Sequence, residues 1–148
     1  AYWNKCREVI NDLPVYVKAE HKGAVHSDAI PGLLRKYHVL WMPSTGENFG
    51  HSIMESLMQG VPVLISDRTP WKSLENHQAG WDFPLEHPQA FTRQIARLSG
   101  MDQQTYDLWL RGAFKRAKSF IEDPALISKS LSMLYQLSQQ RQNPGNPD

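Results

Sequence analysis

Two apolar runs flank a short amphipathic stretch near the middle of this chain, and that order restricts the fold more than any other feature. Tyr37-His-Val-Leu-Trp-Met42 is stopped by Pro43, and Val61-Pro-Val-Leu-Ile65 gives way to Asp67-Arg-Thr-Pro70. Consecutive apolar positions in the core of the first run predict a strand buried on both faces, and the second run reads as the clearest buried strand. Pro62 belongs near a strand start, where its missing N–H costs least. Between the runs, Ile53, Met54, Leu57 and Met58 recur at helical spacing over 51–59, and Gly60 closes the helix. Residues 38–65 therefore read as β-α-β, whose crossover helix makes the two strands parallel.

The rest of the chain extends the same alternation. Trp3, Cys6, Val9 and Ile10 give a helix over 2–12, closed by Asn11-Asp12 and Pro14. Val15–Ala19 has strand propensity, and His21-Lys-Gly23 breaks it. A short helix follows Asp28, with Asp28 as its cap and Pro31 in its first turn. Residues 71–77 read as a short helix and Gly80–Pro84 as an edge strand. Helices are expected over 88–98, 103–118 and 124–138. The fold class is α/β: a Rossmann-like parallel sheet with flanking helices. Residues 1–138 make the domain with its closing helices, and 139–148 a polar tail.

Sixteen basic residues against fifteen acidic ones give a formal charge of +1, so no nucleic-acid partner is expected. Arg111, Lys115, Arg116 and Lys118 recur at helical spacing and read as a solvated face. Cys6 is the only cysteine, which rules out an internal disulfide and a thiolate zinc cluster and fits a reducing compartment. No apolar run reaches the length of a membrane-spanning helix. No histidine or aspartate cluster calls for a metal.

The loop between the first strand and its helix holds the chemistry. Glu47 and Glu55 stand eight residues apart with Gly50 between them. This places one acid on a loop at the tip of a parallel strand and the other on the helix that follows. Ligands of open α/β sheets bind at that edge. Asn48, Phe49, Gly50 and His51 lie at the helix start, where amide groups lack internal acceptors and favour phosphate. Gly50 permits close approach or an unusual φ. Glu47 can accept sugar hydroxyls, and Glu55, on an edge shared with His51, suits a ribose diol. The pattern points to a nucleotide diphosphate-sugar.

A structural reading fits the same residues. Ser52-Ile-Met-Glu55 matches a capping box, with Glu55 bonded to the Ser52 amide. Glu47 can be a solvated loop acid, Gly50 a turn residue, His51 a surface histidine and Phe49 a core anchor.

Pro43-Ser44, Glu47-Asn-Phe-Gly50, Glu55 and Gly60-Val-Pro-Val63 together resemble the signature of the retaining GT-B glycosyltransferases of family 4, the glycosyl transferases group 1. Lys22-Gly23, Asp28, Leu33-Leu34 and Gly80 also fit, and the likeness extends over roughly residues 12–98. The resemblance implies that Glu47 contacts the donor hexose and is the candidate catalytic residue. Phe49, Gly50 and His51 match the stretch whose backbone faces the donor sugar and diphosphate, with Asn48 beside them. Glu55 matches the ribose-binding glutamate. Ser56 stands where alanine is common.

The same resemblance implies a partial C-terminal domain of a GT-B fold. The acceptor domain is then an N-terminal partner outside this chain, together with the strand and basic loop that open the donor domain. It implies sugar transfer with retention, from a nucleotide sugar to a saccharide or lipid-linked acceptor, with no metal or other cofactor. It implies a cytoplasmic enzyme, membrane-peripheral through its other domain. This chain alone is expected to be inactive. Another GT-B reaction, such as a nucleotide-sugar epimerase or a sugar phosphate synthase, fits the same residues, as does a nonenzymatic nucleotide-sugar binding module.

Overall fold

The computed structural model describes residues 2–124; apart from Pro124, the helix expected at 124–138 and the tail at 139–148 lie outside them. The architecture is α/β. Three parallel strands, β1 (Leu40–Met42), β2 (Val63–Ser66) and β3 (Gly80–Phe83), lie in that order in one sheet. Leu40 pairs with Val63, and Val63 with Gly80. The α-helices among the described residues are α1 (Tyr2–Asn11), which buries no residue, α2 (Ile30–Leu34), α3 (His51–Met58), α4 (Pro88–Ser99) and α5 (Gln103–Ile121).

The alternation of β2 separates two cores. Val63 and Ile65 face Ile53 and Leu57 of α3 and Ala113 and Ala117 of α5. Leu64 faces the other way, against Trp81, Phe91 and Trp109. All four residues of β2 are buried because the strand has neighbours on both edges and layers on both faces. Each large aliphatic side chain withdrawn from water contributes roughly 1.5–3 kcal/mol. Two glycines permit close backbone approaches, one between paired strands and one between α5 and the turn before β3. A Cβ on Gly80 would lie 2.1 Å from the Val63 carbonyl oxygen, and one on Gly112 of α5 2.2 Å from that of Gln78.

Helix starts and stops follow local chemistry. Asp102 caps α5, its carboxylate accepting from the Thr105 amide at 2.8 Å. α3 ends as expected at Gly60, whose φ is 72°. There the Val61 amide donates to the Ser56 carbonyl at 3.0 Å, and the Ser56 hydroxyl donates to the Val61 carbonyl at 3.0 Å. The Ser56 hydroxyl thus has a buried acceptor.

Several sequence expectations are corrected. Residues 15–19 form no strand: Val15 is 98% and Tyr16 83% exposed, with no neighbouring strand among the described residues to satisfy the backbone. Asp28 is not the cap of the following helix. It sits inside a 3-10 turn, Ser27–Ala29, whose cap is His26. The first strand is confined to Leu40–Met42, and Trp41 is 56% exposed because β1 is a sheet edge. The helix expected at 71–77 is one 3-10 turn, Glu75–His77. Asp82 accepts from the amides of Ser73 and Leu74 just before it.

Candidate functional site

Two loops meet at the carboxyl ends of β1 and β2. The first, residues 43–50, leads into α3; the second, residues 67–71, follows β2. The Ser66 hydroxyl donates to the Ser44 carbonyl at 2.5 Å and accepts from the Arg68 amide at 3.3 Å. The Glu47 amide donates to the Arg68 carbonyl at 3.3 Å. The Trp71 indole N–H donates to the Phe49 carbonyl at 2.9 Å. These bonds fix the backbone of the first loop and leave the Glu47 and Asn48 side chains exposed.

Gly50 is the hinge between loop and helix. It is buried and caps α3 in the left-handed conformation, with φ 75° and ψ 58°. A Cβ there would lie 2.9 Å from Ile53 Cδ1 and 3.2 Å from Trp71 Nε1. No side chain caps α3, so its first amides have no acceptor from a side-chain cap. The helix begins at His51, which puts Ser52 inside it; the capping box expected of Ser52 and Glu55 does not form.

His51 and Glu55 are four residues apart and share one helix face. His51 is exposed and Glu55 half-buried. Among the described residues, neither the Glu47 nor the Glu55 carboxylate has a hydrogen bond or ion pair. Phe49 is 39% exposed and packs its ring on His51 at 4.7 Å and on Phe120 of α5 at 5.7 Å. Glu47, Gly50, His51 and Glu55 thus gather around one helix start, with Asn48 and Phe49 on the loop leading into it.

The second loop carries Trp71, whose position just after β2 places it beside the cleft and reads as a core or loop anchor; its partners are what the sequence pattern did not give. Trp71 is 1% exposed, stacked on Phe120 at 4.4 Å and covered by the Arg116 guanidinium at 5.6 Å. Arg116 is therefore not part of a purely solvated face. Arg68 pairs with Glu86, and the Lys72 ammonium donates to the Asp67 carbonyl. No periodic signal links Phe49 to Trp71 or Phe120. Only the β-α-β topology, which places both loops at one sheet edge, could have suggested the first pair. Among the described residues, no group of three or more His, Cys, Asp or Glu could hold a metal ion.

A family model described as glycosyl transferases group 1 matches residues 4–109. The chain belongs to the group 1 glycosyl transferases. Comparisons with curated proteins and with solved structures found no match. The family match covers β1, α3, β2 and both loops of the site, and assigns the chain to sugar transfer between a donor and an acceptor. It also reaches beyond 12–98, into α1 and α5. No helix among the described residues is long and apolar enough to cross a membrane.

Proposed function

We propose that this group 1 glycosyl transferase chain is the donor-binding part of a retaining, family 4 enzyme of the GT-B type. It takes a nucleotide diphosphate-sugar and serves transfer to a saccharide or lipid-linked acceptor held by an N-terminal domain. One observation supports this most: two carboxylates without a protein partner among the described residues bracket an α3 start that no side chain caps. In this reading the first amides of α3, from His51 onward, receive the diphosphate. Glu47 accepts hydroxyls of the donor sugar, and Glu55 accepts the ribose diol. Phe49 and Gly50 shape the wall between them, with Asn48 at its rim.

The two acids act as donor holders and not as a nucleophile and acid set across the bond, as in retaining glycosidases. Charge on the departing diphosphate is stabilised by the helix amides and by basic groups of the loop outside this chain. No metal or other cofactor takes part, and the enzyme is cytoplasmic, meeting membranes peripherally through its other domain. Both reactants must be oriented for transfer, so this chain alone makes no glycoside.

Calorimetry with uridine and guanosine diphosphates and their 2′-deoxy forms tests the assignment. A carboxylate holding the diol loses a charge-assisted hydrogen bond with the deoxy ligand, weakening binding about ten-fold or more. Equal affinity for ribo and deoxy forms contradicts the role of Glu55. No binding of either ribonucleotide at millimolar concentration contradicts donor binding by this chain.

A further inference from the structure

We propose that Trp71 is a positioning residue for the donor-binding loop, acting through its indole N–H on the Phe49 carbonyl. The inference rests on the donor reading above and adds a residue that the signature around Glu47 and Glu55 does not contain. The bond is 2.9 Å long and joins residues 22 apart in sequence, directly before the left-handed Gly50 hinge. That peptide sets the direction in which α3 starts and the place where Glu47 stands relative to it.

Trp71 is itself held from three sides. Its amide donates to the Thr69 hydroxyl at 3.2 Å. Phe120 stacks on its ring at 4.4 Å, and Arg116 covers it at 5.6 Å. Phe120 also touches Phe49 at 5.7 Å, so the last turns of α5 brace both partners of the bond. A phenylalanine at 71 would keep much of the ring packing and remove the donor, leaving a small void where the larger ring had been. The Phe49 carbonyl would then lose its protein partner, and the Gly50 hinge would lose its tether.

The test compares Trp71→Phe with Phe91→Leu, which perturbs the core on the opposite sheet face. Trp71→Phe is expected to weaken uridine or guanosine diphosphate binding about three- to ten-fold, the worth of one hydrogen bond. It is also expected to speed amide exchange at Gly50 and His51. Phe91→Leu lowers stability and leaves both readouts at the wild-type level. Wild-type exchange or wild-type affinity in Trp71→Phe overturns the positioning role alone. Equal loss of affinity in Phe91→Leu also overturns it, because general destabilisation then explains the effect. A wild-type chain that binds neither nucleotide sinks the donor reading and the role built on it.

Discussion

Gly50→Ala isolates the hinge on which the site depends. At φ 75° an L-residue brings its Cβ against the backbone, which costs roughly 1–2 kcal/mol. The new methyl also lies 2.9 Å from Ile53 Cδ1, closer than real Cβ contacts allow. Ile53 is fully buried, so its side chain must rotate within a filled core. With Trp71 Nε1 also only 3.2 Å away, this overpacking adds about 1–3 kcal/mol, and a total of roughly 2–5 kcal/mol is expected. Gly46 in the same loop is the control. Its added Cβ meets nothing within 4 Å and its φ is not in the left-handed region. Gly46→Ala should therefore be neutral or stabilise by up to about 1 kcal/mol, by restricting the unfolded chain. Urea unfolding of the three proteins gives the comparison. Wild-type stability in Gly50→Ala, or a greater loss in Gly46→Ala, would refute the hinge argument.

Other substitutions probe different parts of the account. Gly80→Ala puts a methyl 2.1 Å from the Val63 carbonyl oxygen between paired strands; a loss of roughly 3 kcal/mol or more is expected in urea unfolding. Glu55→Gln should weaken nucleotide binding in calorimetry while unfolding near the wild-type midpoint, because no cap is lost; a large stability loss would restore a structural role. The Asp102 carboxyl is held below its ordinary range, chiefly by the Thr105 amide and then by its hydroxyl. Its folded value is the lower one, so its contribution is present above the ordinary aspartate range of the unfolded chain and fades as pH falls toward the folded value. Asp102→Asn should flatten that part of the acid limb of thermal stability; an unchanged limb would show that the cap does not titrate as argued.

The parts of the fold legible in the sequence are those fixed by local chemistry or by complete burial. β2 was readable because every residue of it is covered, and α3 because its apolar stripe ends at a glycine. α4 and α5 were readable from a proline at the start of one and amphipathic spacing in both. The failures concern neighbours. Val15–Ala19 has strand propensity, but propensity cannot supply a partner strand. The core of the 37–42 run is apolar on consecutive positions, yet β1 has a neighbour on one edge only, so Trp41 remains exposed. The capping box failed by two residues, because Gly50 rather than Ser52 stands at the helix boundary.

The cluster of Glu47, Gly50, His51 and Glu55 was visible because all four lie within nine residues of one strand-to-helix turn. Trp71 was legible as a core or loop anchor beside the cleft, but its contacts with Phe49, Arg116 and Phe120 were not, since they join elements distant in sequence. No local pattern records that an indole will meet a carbonyl across two loops. The close approach of Gly112 to Gln78 is hidden for the same reason, as a glycine inside a helix gives no sign of what packs against it.

The central claim is that the edge around Glu47 and Glu55 receives a nucleotide diphosphate. The most direct measurement is a protein-observed NMR titration of the 148-residue chain with uridine and guanosine diphosphates, following every backbone amide. The account predicts saturable shifts concentrated at residues 47–55, largest at Gly50 and His51, with smaller ones at the Trp71 indole. No shift in that segment at millimolar ligand, or saturable shifts confined to another face of the domain, would contradict it.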